Sequence, residues 1–248
     1  MISFEQSQQY DRDGFLLVPD VFSPHEVQAM IGAVEGGGRV AQKAYDMADT
    51  SGKNARLALW SELGDDIWAA ASTHPGIVNT ARMLLREEIS FFHGKVILKE
   101  ARSGGAWEWH QDYGYWHHDG FLFPHMLSAF VALDASTKEN GCLQVLRGSH
   151  HLGRLEHGRA GGQMGTDPER IAAVEKKLER VHVEMTPGSV LFFHCNTLHT
   201  SAANESDHHR RSFIVCYTAT TNPQYRGEGF HSYPICPTSS PDALARFV

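Results

Sequence analysis

The 248-residue sequence lacks the features that mark several large classes of protein. Its cysteines are few and scattered, with no C-x-x-C pair, so we expect reduced thiols rather than disulfides or a zinc knuckle. No apolar run approaches the roughly 20 residues that span a bilayer. The first residues also lack the charged and apolar regions of a signal peptide, and we therefore expect a cytoplasmic protein.

Positive charge is in deficit as well. Lysine and arginine number 22 against 29 aspartates and glutamates, which gives a net charge of −7 at pH 7. Nucleic acids and anionic membranes are bound through clustered basic residues, and no such run occurs here. We therefore expect a small-molecule substrate, no nucleic-acid or membrane partner, and either a monomer or a homodimer.

The pattern of the chain changes at about residue 89. Before this point we expect helices with short strands among them, and the stretch from Ser23 to Glu26 is a capping box that opens a helix. After it, short β-type runs are separated by turns such as Pro187-Gly188. Many short strands predict a jelly roll, so the expected fold class is α+β, with a β-barrel-like core and N-terminal helices packed on it. We expect one domain, with a helical part at about 1–88, the core at about 89–220 and a C-terminal extension at about 221–248.

Two segments carry histidine and aspartate at a spacing that suits a metal. His110 and Asp112 stand two positions apart, so on a strand their side chains would share one face. His199 follows a later apolar strand, 87 positions beyond Asp112 (199 − 112). Two histidines and one carboxylate on an octahedral iron leave three positions open for a keto acid and O₂. The same donors with a bound water would suit a zinc hydrolase on a cupin-like barrel, and the spacing alone leaves both interpretations open.

An arginine pair follows the second histidine. Arg210 lies eleven residues after His199 (210 − 199), at the start of a β-type run. A guanidinium there can hold a carboxylate through two parallel hydrogen bonds. Strand alternation allows only one of Arg210 and Arg211 to point inward, and the spacing favours Arg210.

Six motifs of the chain stand in one order between about Asp13 and Tyr217: His110-Gln111-Asp112, Asn140-Gly141, Gly148-Ser149-His150, Pro187-Gly188, His199 and Arg210. In this order they resemble the phytanoyl-CoA dioxygenase family, in the bacterial branch that includes ectoine hydroxylase. The resemblance implies a double-stranded β-helix that uses Fe(II), 2-oxoglutarate and O₂. It also implies hydroxylation of a substrate with release of succinate and CO₂.

The resemblance also assigns roles to residues of this chain. His110, Asp112 and His199 match the iron ligands of the family. Arg210 and Ser201 match the partners of the distal carboxylate of 2-oxoglutarate, and Lys99 stands where relatives often carry a lysine, although Glu100-Ala101 follows it here instead of two prolines. Related halogenases replace the carboxylate ligand with a small residue so that chloride can bind. Because Asp112 is retained, the expected reaction is hydroxylation.

Aromatic residues crowd around the first metal motif and suggest the substrate. Tyr113, Tyr115 and Trp116 would form a wall that can hold a small cation by its π face. Glu108 shares strand parity with His110, and a carboxylate in the cavity would suit a cationic group. We expect a small polar substrate, amine-bearing or zwitterionic, rather than an acyl-CoA, because no long basic surface is present. A non-catalytic binding jelly roll is the remaining alternative.

Overall fold

The computed structural model describes residues 1–248. Its helices are α1 (Phe4–Asp13), α2 (Pro24–Glu35), α3 (Gly38–Lys43), α4 (Ile67–Ser72), α5 (Pro75–Leu85), α6 (Asp112–His118) and α7 (Pro168–Glu175). Its strands are β1 (Phe15–Val18), β2 (Ala44–Ala48), β3 (Asn54–Trp60), β4 (Ile89–Lys99), β5 (Trp107–His110), β6 (Met126–Ala132), β7 (Leu143–Leu146), β8 (His157–Ala160), β9 (Gln163–Thr166), β10 (Arg180–Val183), β11 (Val190–His194), β12 (His199–Ser201), β13 (Arg210–Ala219), β14 (Gln224–Tyr225) and β15 (Phe230–His231). Two 3₁₀ turns cover Ser149–Leu152 and Pro241–Phe247.

Two antiparallel sheets form the core of the jelly roll. The larger sheet has seven strands in the order β1-β11-β6-β13-β4-β3-β2, and the smaller has four in the order β10-β7-β12-β5. The predicted fold class is confirmed, since helices pack on one face of the large sheet and the small sheet faces the other. None of the helices combines the length and apolar character needed to cross a bilayer.

Side chains alternate strictly along the central strands of the large sheet. On β11, Phe192 packs against the helices, whereas Leu191 and Phe193 point between the two sheets. On β13, Phe213 belongs to the helical side and Ile214 to the space between the sheets. This period of two is the reason that the strand parity of the sequence can be used to predict which residues face the interior.

The N-terminal helices begin as their capping residues predict. In α2 the Ser23 hydroxyl accepts from the Glu26 N–H, the Glu26 carboxylate accepts from the Ser23 N–H, and Pro24 occupies the first turn. An equivalent box, formed by Ser3 and Gln6, opens α1. The description of residues 1–88 as helical is incomplete, however, because β1, β2 and β3 precede residue 89 and belong to the large sheet. β1 pairs with β11, β3 with β4 and β2 with β3, so the short strands expected among the N-terminal helices are part of the core.

A β-bulge interrupts the small sheet where β5 pairs with β12. His110 lies opposite His199 and Trp107 lies opposite Ser201, so two residues of β5 face one residue of β12 between these pairs. A bulge of this kind reverses the alternation of side chains on the longer strand. Trp107 and His110 therefore share a face although they stand three positions apart.

Candidate metal centre

The predicted metal ligands lie together although they come from three elements. His110 is the last residue of β5, Asp112 is the first of α6, and His199 begins β12 directly opposite His110. All three side chains are buried, and one ligand atom of each lies within 4.8 Å of the other two. The expectation that Asp112 shares a strand with His110 is wrong, because the chain leaves β5 at Gln111 and turns into α6.

Backbone carbonyls orient both imidazole rings. The Nδ1 atom of His110 lies 2.6 Å from the Glu108 carbonyl oxygen, and that of His199 lies 2.9 Å from the Thr197 carbonyl oxygen. A carbonyl can only accept, so Nδ1 carries the proton in each ring. The Nε2 lone pair is left for a metal ion, which is the usual arrangement of a ligating histidine.

The charges of the three side chains also suit a metal. Burial lowers the pKa of His110 and of His199, so both rings are neutral at pH 7. Burial opposes ionisation of Asp112 too, but the Lys95 ammonium 3.6 Å away holds the pKa of that carboxyl well below its usual range. The Ser128 hydroxyl donates to the second Asp112 oxygen at 2.5 Å. The centre therefore offers two neutral nitrogens and one fixed carboxylate.

A cavity of about 330 Å³ opens onto this centre between the two sheets. Its size falls within the range of roughly 300–1,000 Å³ that is usual for small-molecule sites. Most of the wall is apolar or aromatic, and the polar groups are few. The side chains that matter below are Trp107, His110, Asp112, Tyr115, Trp116, His199, Ser201, Arg210, His93, Lys95 and Asp119.

Arg210 lines the cavity as strand parity predicts, and it has no counter-ion. The residue is 1% exposed, and its Nε and Nη1 atoms are buried without a hydrogen-bond partner. Burial lowers the pKa of Arg210 to about 10, so the group is still charged at pH 7. Arg211 points to the other face, where it forms ion pairs with Asp134 at 2.8 Å and Glu35 at 2.6 Å. A buried, unpaired guanidinium is costly unless an anion binds it.

Ser201 lines the cavity near Arg210, whereas Lys99 lies behind it. The Lys99 ammonium donates to the Ser201 hydroxyl at 2.8 Å, to the Ser201 carbonyl at 3.2 Å and to the Ala202 carbonyl. An ammonium has three donors, so these contacts leave none for a ligand. Lys99 does not line the cavity, and its contacts favour a role in orienting Ser201 over the predicted direct contact with 2-oxoglutarate.

Glu108 is not in the cavity wall. Its carboxylate accepts from the Thr50 N–H at 3.1 Å and from the Thr50 hydroxyl at 2.8 Å, on the other side of β5. The bulge explains the error, because it gives Trp107 rather than Glu108 the parity of His110. The predicted role of Glu108 in substrate binding is wrong.

The aromatic residues of α6 divide between the cavity and the core. Tyr115 and Trp116 line the cavity, and the Tyr115 hydroxyl donates to the Met164 carbonyl at 2.7 Å. Tyr113 is buried on the other side of the helix, where its hydroxyl donates to the Phe121 carbonyl at 3.0 Å. Tyr113 therefore does not contact a ligand in the cavity, and that prediction is wrong because α6 is a helix with a period of 3.6 residues.

Several residues of the site, Lys95 and Trp107 among them, were not predicted from the sequence. Lys95 lines the cavity beside Asp112, and Trp107 covers the same wall as His110. A signal for Lys95 was present, since a lysine is unusual within an apolar, buried strand such as β4. The position of Trp107 in the cavity wall depends on the bulge in β5, which the sequence did not predict.

The residues of this cavity fit both an Fe(II) ion and 2-oxoglutarate. Two imidazoles with free Nε2 atoms and one carboxylate are the donors of a facial triad with open positions. The unpartnered guanidinium of Arg210 can bind the carboxylate at the far end of a keto acid. Fold and site together define an iron(II)- and 2-oxoglutarate-dependent dioxygenase.

Comparison with known proteins identifies the family. The model of the phytanoyl-CoA dioxygenase (PhyH) family matches residues 10–212, and the chain belongs to this family. L-proline trans-4-hydroxylase from Streptomyces griseoviridis is 31% identical over 231 residues, which cover 86% of this chain and 85% of the relative. Ectoine dioxygenase from Sphingopyxis alaskensis is 28% identical over 241 residues, which cover 89% and 77% of the two chains.

Solved structures show the same fold. The crystal structure of EctD from S. alaskensis with bound Fe is 25% identical, with a TM-score of 0.75, and the match covers 100% of this chain and 84% of that one. EctD with 2-oxoglutarate and 5-hydroxyectoine has a TM-score of 0.79 at 23% identity, over 96% and 87% of the two chains. The protein is thus a dioxygenase whose cofactor is Fe(II) and whose co-substrates are 2-oxoglutarate and O₂. The zinc hydrolase and the non-catalytic jelly roll find no support.

Proposed function

We propose that the enzyme hydroxylates a small polar metabolite and releases succinate and CO₂. The observation that carries this proposal is one cavity that joins a His-Asp-His cluster to a buried arginine without a counter-ion. A metal cluster alone would suit many reactions, but the guanidinium adds a fixed position for a dicarboxylate.

In this proposal His110, Asp112 and His199 hold the iron. The iron supplies the activation of O₂ and the oxidation of 2-oxoglutarate when it is bound. Arg210 and the Ser201 hydroxyl bind the distal carboxylate of 2-oxoglutarate, with Lys99 holding Ser201 in place. Lys95 keeps Asp112 ionised and adds positive charge to the wall that receives the keto acid.

The proposed substrate is small and carries an amine or is zwitterionic. Relatives named for L-proline and for ectoine support this, because both are small nitrogen compounds. A cavity of about 330 Å³, shared with 2-oxoglutarate, suits a small molecule better than a long acyl chain. Tyr115 and Trp116 offer the aromatic wall against which such a molecule would lie.

Asp112 supports hydroxylation rather than halogenation. The carboxylate occupies the ligand position that a halide would need, and both of its oxygens are already held, one by Ser128 and one by Lys95. We therefore expect a product that has gained one oxygen atom, and no chlorinated product in chloride buffer.

Anaerobic titration of the Fe(II)-loaded protein with 2-oxoglutarate tests the proposal. Chelation of the keto acid should give a weak visible charge-transfer band, which Arg210→Ala should shift to much higher 2-oxoglutarate concentration. A panel of small metabolites is then assayed for succinate release, and the product masses are measured. Absence of the band, or a band unaffected by both Arg210→Ala and Ser201→Ala, would contradict the assignment.

We also propose that the enzyme works in the cytoplasm. All four cysteines are buried and free, at positions that do not pair with one another. This usage suits a reducing compartment. Whether the chain is a monomer or a homodimer stays a prediction that sedimentation can decide.

A further inference from the structure

The outer end of the cavity contains a carboxylate that neither iron nor 2-oxoglutarate requires. Asp119 follows α6 directly and its side chain lines the cavity. Its backbone is fixed, because its N–H donates to the Tyr115 carbonyl at 3.1 Å and its carbonyl accepts from the Gln224 side chain at 2.6 Å. Asp119 is exposed at the mouth of the cavity, and its carboxylate has no hydrogen-bond partner and no ion pair within the protein. The charge is thus held at the cavity entrance without being neutralised there.

The cations near Asp119 are engaged elsewhere. Partial burial raises the pKa of Asp119, and the nearby Arg226 opposes this shift without pairing with it. The Arg226 guanidinium donates instead to the Gln224 side chain at 2.7 Å and to the Tyr233 hydroxyl at 3.3 Å. His118 lies 3.9 Å from Glu156 on the exposed side of α6. Neither residue lines the cavity. A cationic group of a ligand could therefore pair with the Asp119 carboxylate without displacing a protein cation from it.

A second unpartnered group faces the same space. His93 is 7% exposed and lines the cavity, and its Nδ1 atom is buried without a hydrogen-bond partner. Its ring meets Trp116 edge-on, with ring centroids 5.7 Å apart. Burial and the nearby Lys95 lower the pKa of His93 to about 3, so the ring is neutral and able to accept a hydrogen bond. Buried polar atoms normally have a hydrogen-bond partner, which indicates that a ligand donates to the Nδ1 atom of His93.

We propose that Asp119 is the specificity-determining residue of the cavity and binds a protonated amine of the substrate. Its carboxylate accepts from the ammonium, Trp116 covers the adjoining carbon skeleton, and His93 accepts a hydrogen bond from the same molecule. Charge-assisted hydrogen bonds and the face of an aromatic ring both favour an ammonium over a neutral nitrogen. The inference rests on the proposed function and adds a requirement to it, namely positive charge on the substrate at the end remote from the iron.

Three matched probes separate the amine from the rest of the substrate. Pyrrolidine has only an ammonium, L-proline has an ammonium and a carboxylate, and N-acetyl-L-proline has only the carboxylate. Their binding to the protein loaded anaerobically with Fe(II) and 2-oxoglutarate is measured by calorimetry. We expect both amines to bind about tenfold or more tightly than the acetylated probe, because a charge-assisted hydrogen bond and the adjoining aromatic face both favour an ammonium.

Substitution then assigns the preference to one carboxylate. Asp119→Asn should weaken binding of the two amines about tenfold while leaving the acetylated probe and the 2-oxoglutarate band unchanged. Glu108→Gln is the control, since Glu108 lies in the same region but points to Thr50. It should keep the full preference for the amines. If the acetylated probe bound weakly only because the acetyl group is too large, the amines would keep their advantage in Asp119→Asn.

Several outcomes would overturn the inference. They are equal binding of the three probes, no binding of either amine, or a preference that Asp119→Asn leaves intact. Each of these, in a protein that still shows the 2-oxoglutarate band, defeats the role of Asp119 alone. Loss of the band in the wild-type protein would instead defeat the proposed function.

Discussion

At the metal end of the cavity each polar ligand is held by a second group, whereas at the outer end the polar side chains have no partner within the protein. His110 and His199 are oriented by backbone carbonyls, and Asp112 by Ser128. The exposed Asp119 carboxylate and the buried Nδ1 atom of His93 lack such contacts within the protein. The difference separates two tasks. Groups that serve the reaction are preorganised, and groups that recognise the substrate keep their hydrogen-bonding capacity for it.

The largest expected effect is at the metal end. Asp112→Asn replaces a charged ligand and leaves Lys95 without a counter-ion in a buried site. We expect Fe(II) affinity to fall by more than the roughly 10–100-fold that loss of an outer hydrogen-bond partner costs, and turnover to be lost with it. Asp119→Asn makes the same chemical change at the outer end and should leave Fe(II) affinity intact. Metal titration of both variants checks the comparison, which fails if the two lose affinity equally.

The next effect concerns the two neighbouring arginines of β13. Arg210→Ala should weaken 2-oxoglutarate binding by tens- to thousands-fold, because a buried charge-assisted contact is worth roughly 2–5 kcal/mol. Arg211→Ala removes surface ion pairs with Asp134 and Glu35 and should cost stability rather than 2-oxoglutarate affinity. Titration of the charge-transfer band measures the first effect, and thermal unfolding the second. The opposite assignment would mean that the parity of β13 is wrong.

Strand parity predicted Arg210 but not the residues around His110, and the reason lies in the two strands. Arg210 begins a ten-residue strand paired on both sides, and the register of β13 shifts only beyond Cys216. β5 has four residues and contains a bulge, so counting by twos fails within it and Glu108 was assigned to the wrong face. Local alternation is reliable where regular pairing enforces it.

Long-range packing accounts for the other errors. The ligand set could be predicted because His110, Asp112 and His199 follow a family order, although the helix α6 was not expected. Whether Tyr113 faces the cavity depends on that helix. Asp119 was not predicted as a substrate ligand, since its position relative to the substrate depends on a cavity assembled by both sheets.

A smaller effect tests the preorganisation of Asp112. Ser128→Ala removes the 2.5 Å hydrogen bond to the carboxylate while leaving the ligand itself. We expect Fe(II) affinity to fall by roughly 10–100-fold, as for other outer partners of metal ligands. Ser136→Ala is the matched control, because the Ser136 hydroxyl is equally buried but has no partner to lose. Equal losses in the two variants would show that the change reflects packing and not the hydrogen bond.

The smallest effect is on the stability of the metal-free protein in acid. The pKa of His93 is about 3 in the folded state and about 6.5 in the unfolded state. Between these values the unfolded chain binds a proton that the folded one does not, so the stability contributed by neutral His93 is present above pH 6.5 and declines as the pH falls towards 3. This residue adds a slope of about 1.4 kcal/mol per pH unit.

Denaturant unfolding measured between pH 7 and 4 checks this slope. His93→Gln should flatten it, because glutamine does not titrate. His117→Gln, at an exposed position of α6, should leave it unchanged. A profile that is the same in wild type and His93→Gln would show that the outer end of the cavity is hydrated enough to protonate this ring.

The order of strands in the large sheet has a consequence for synthesis of the chain. β11 separates β1 from β6, and β13 separates β6 from β4, so the last two strands to be made occupy the middle of the sheet. β1 has no neighbour until the ribosome has passed His194, and β4 and β6 each present an unpaired edge until it has passed Ala219. Unpaired edges are the segments through which partly made chains associate wrongly. The sheet that carries Arg210 therefore closes at the end of translation, and those edges are where nascent chains are most open to aggregation.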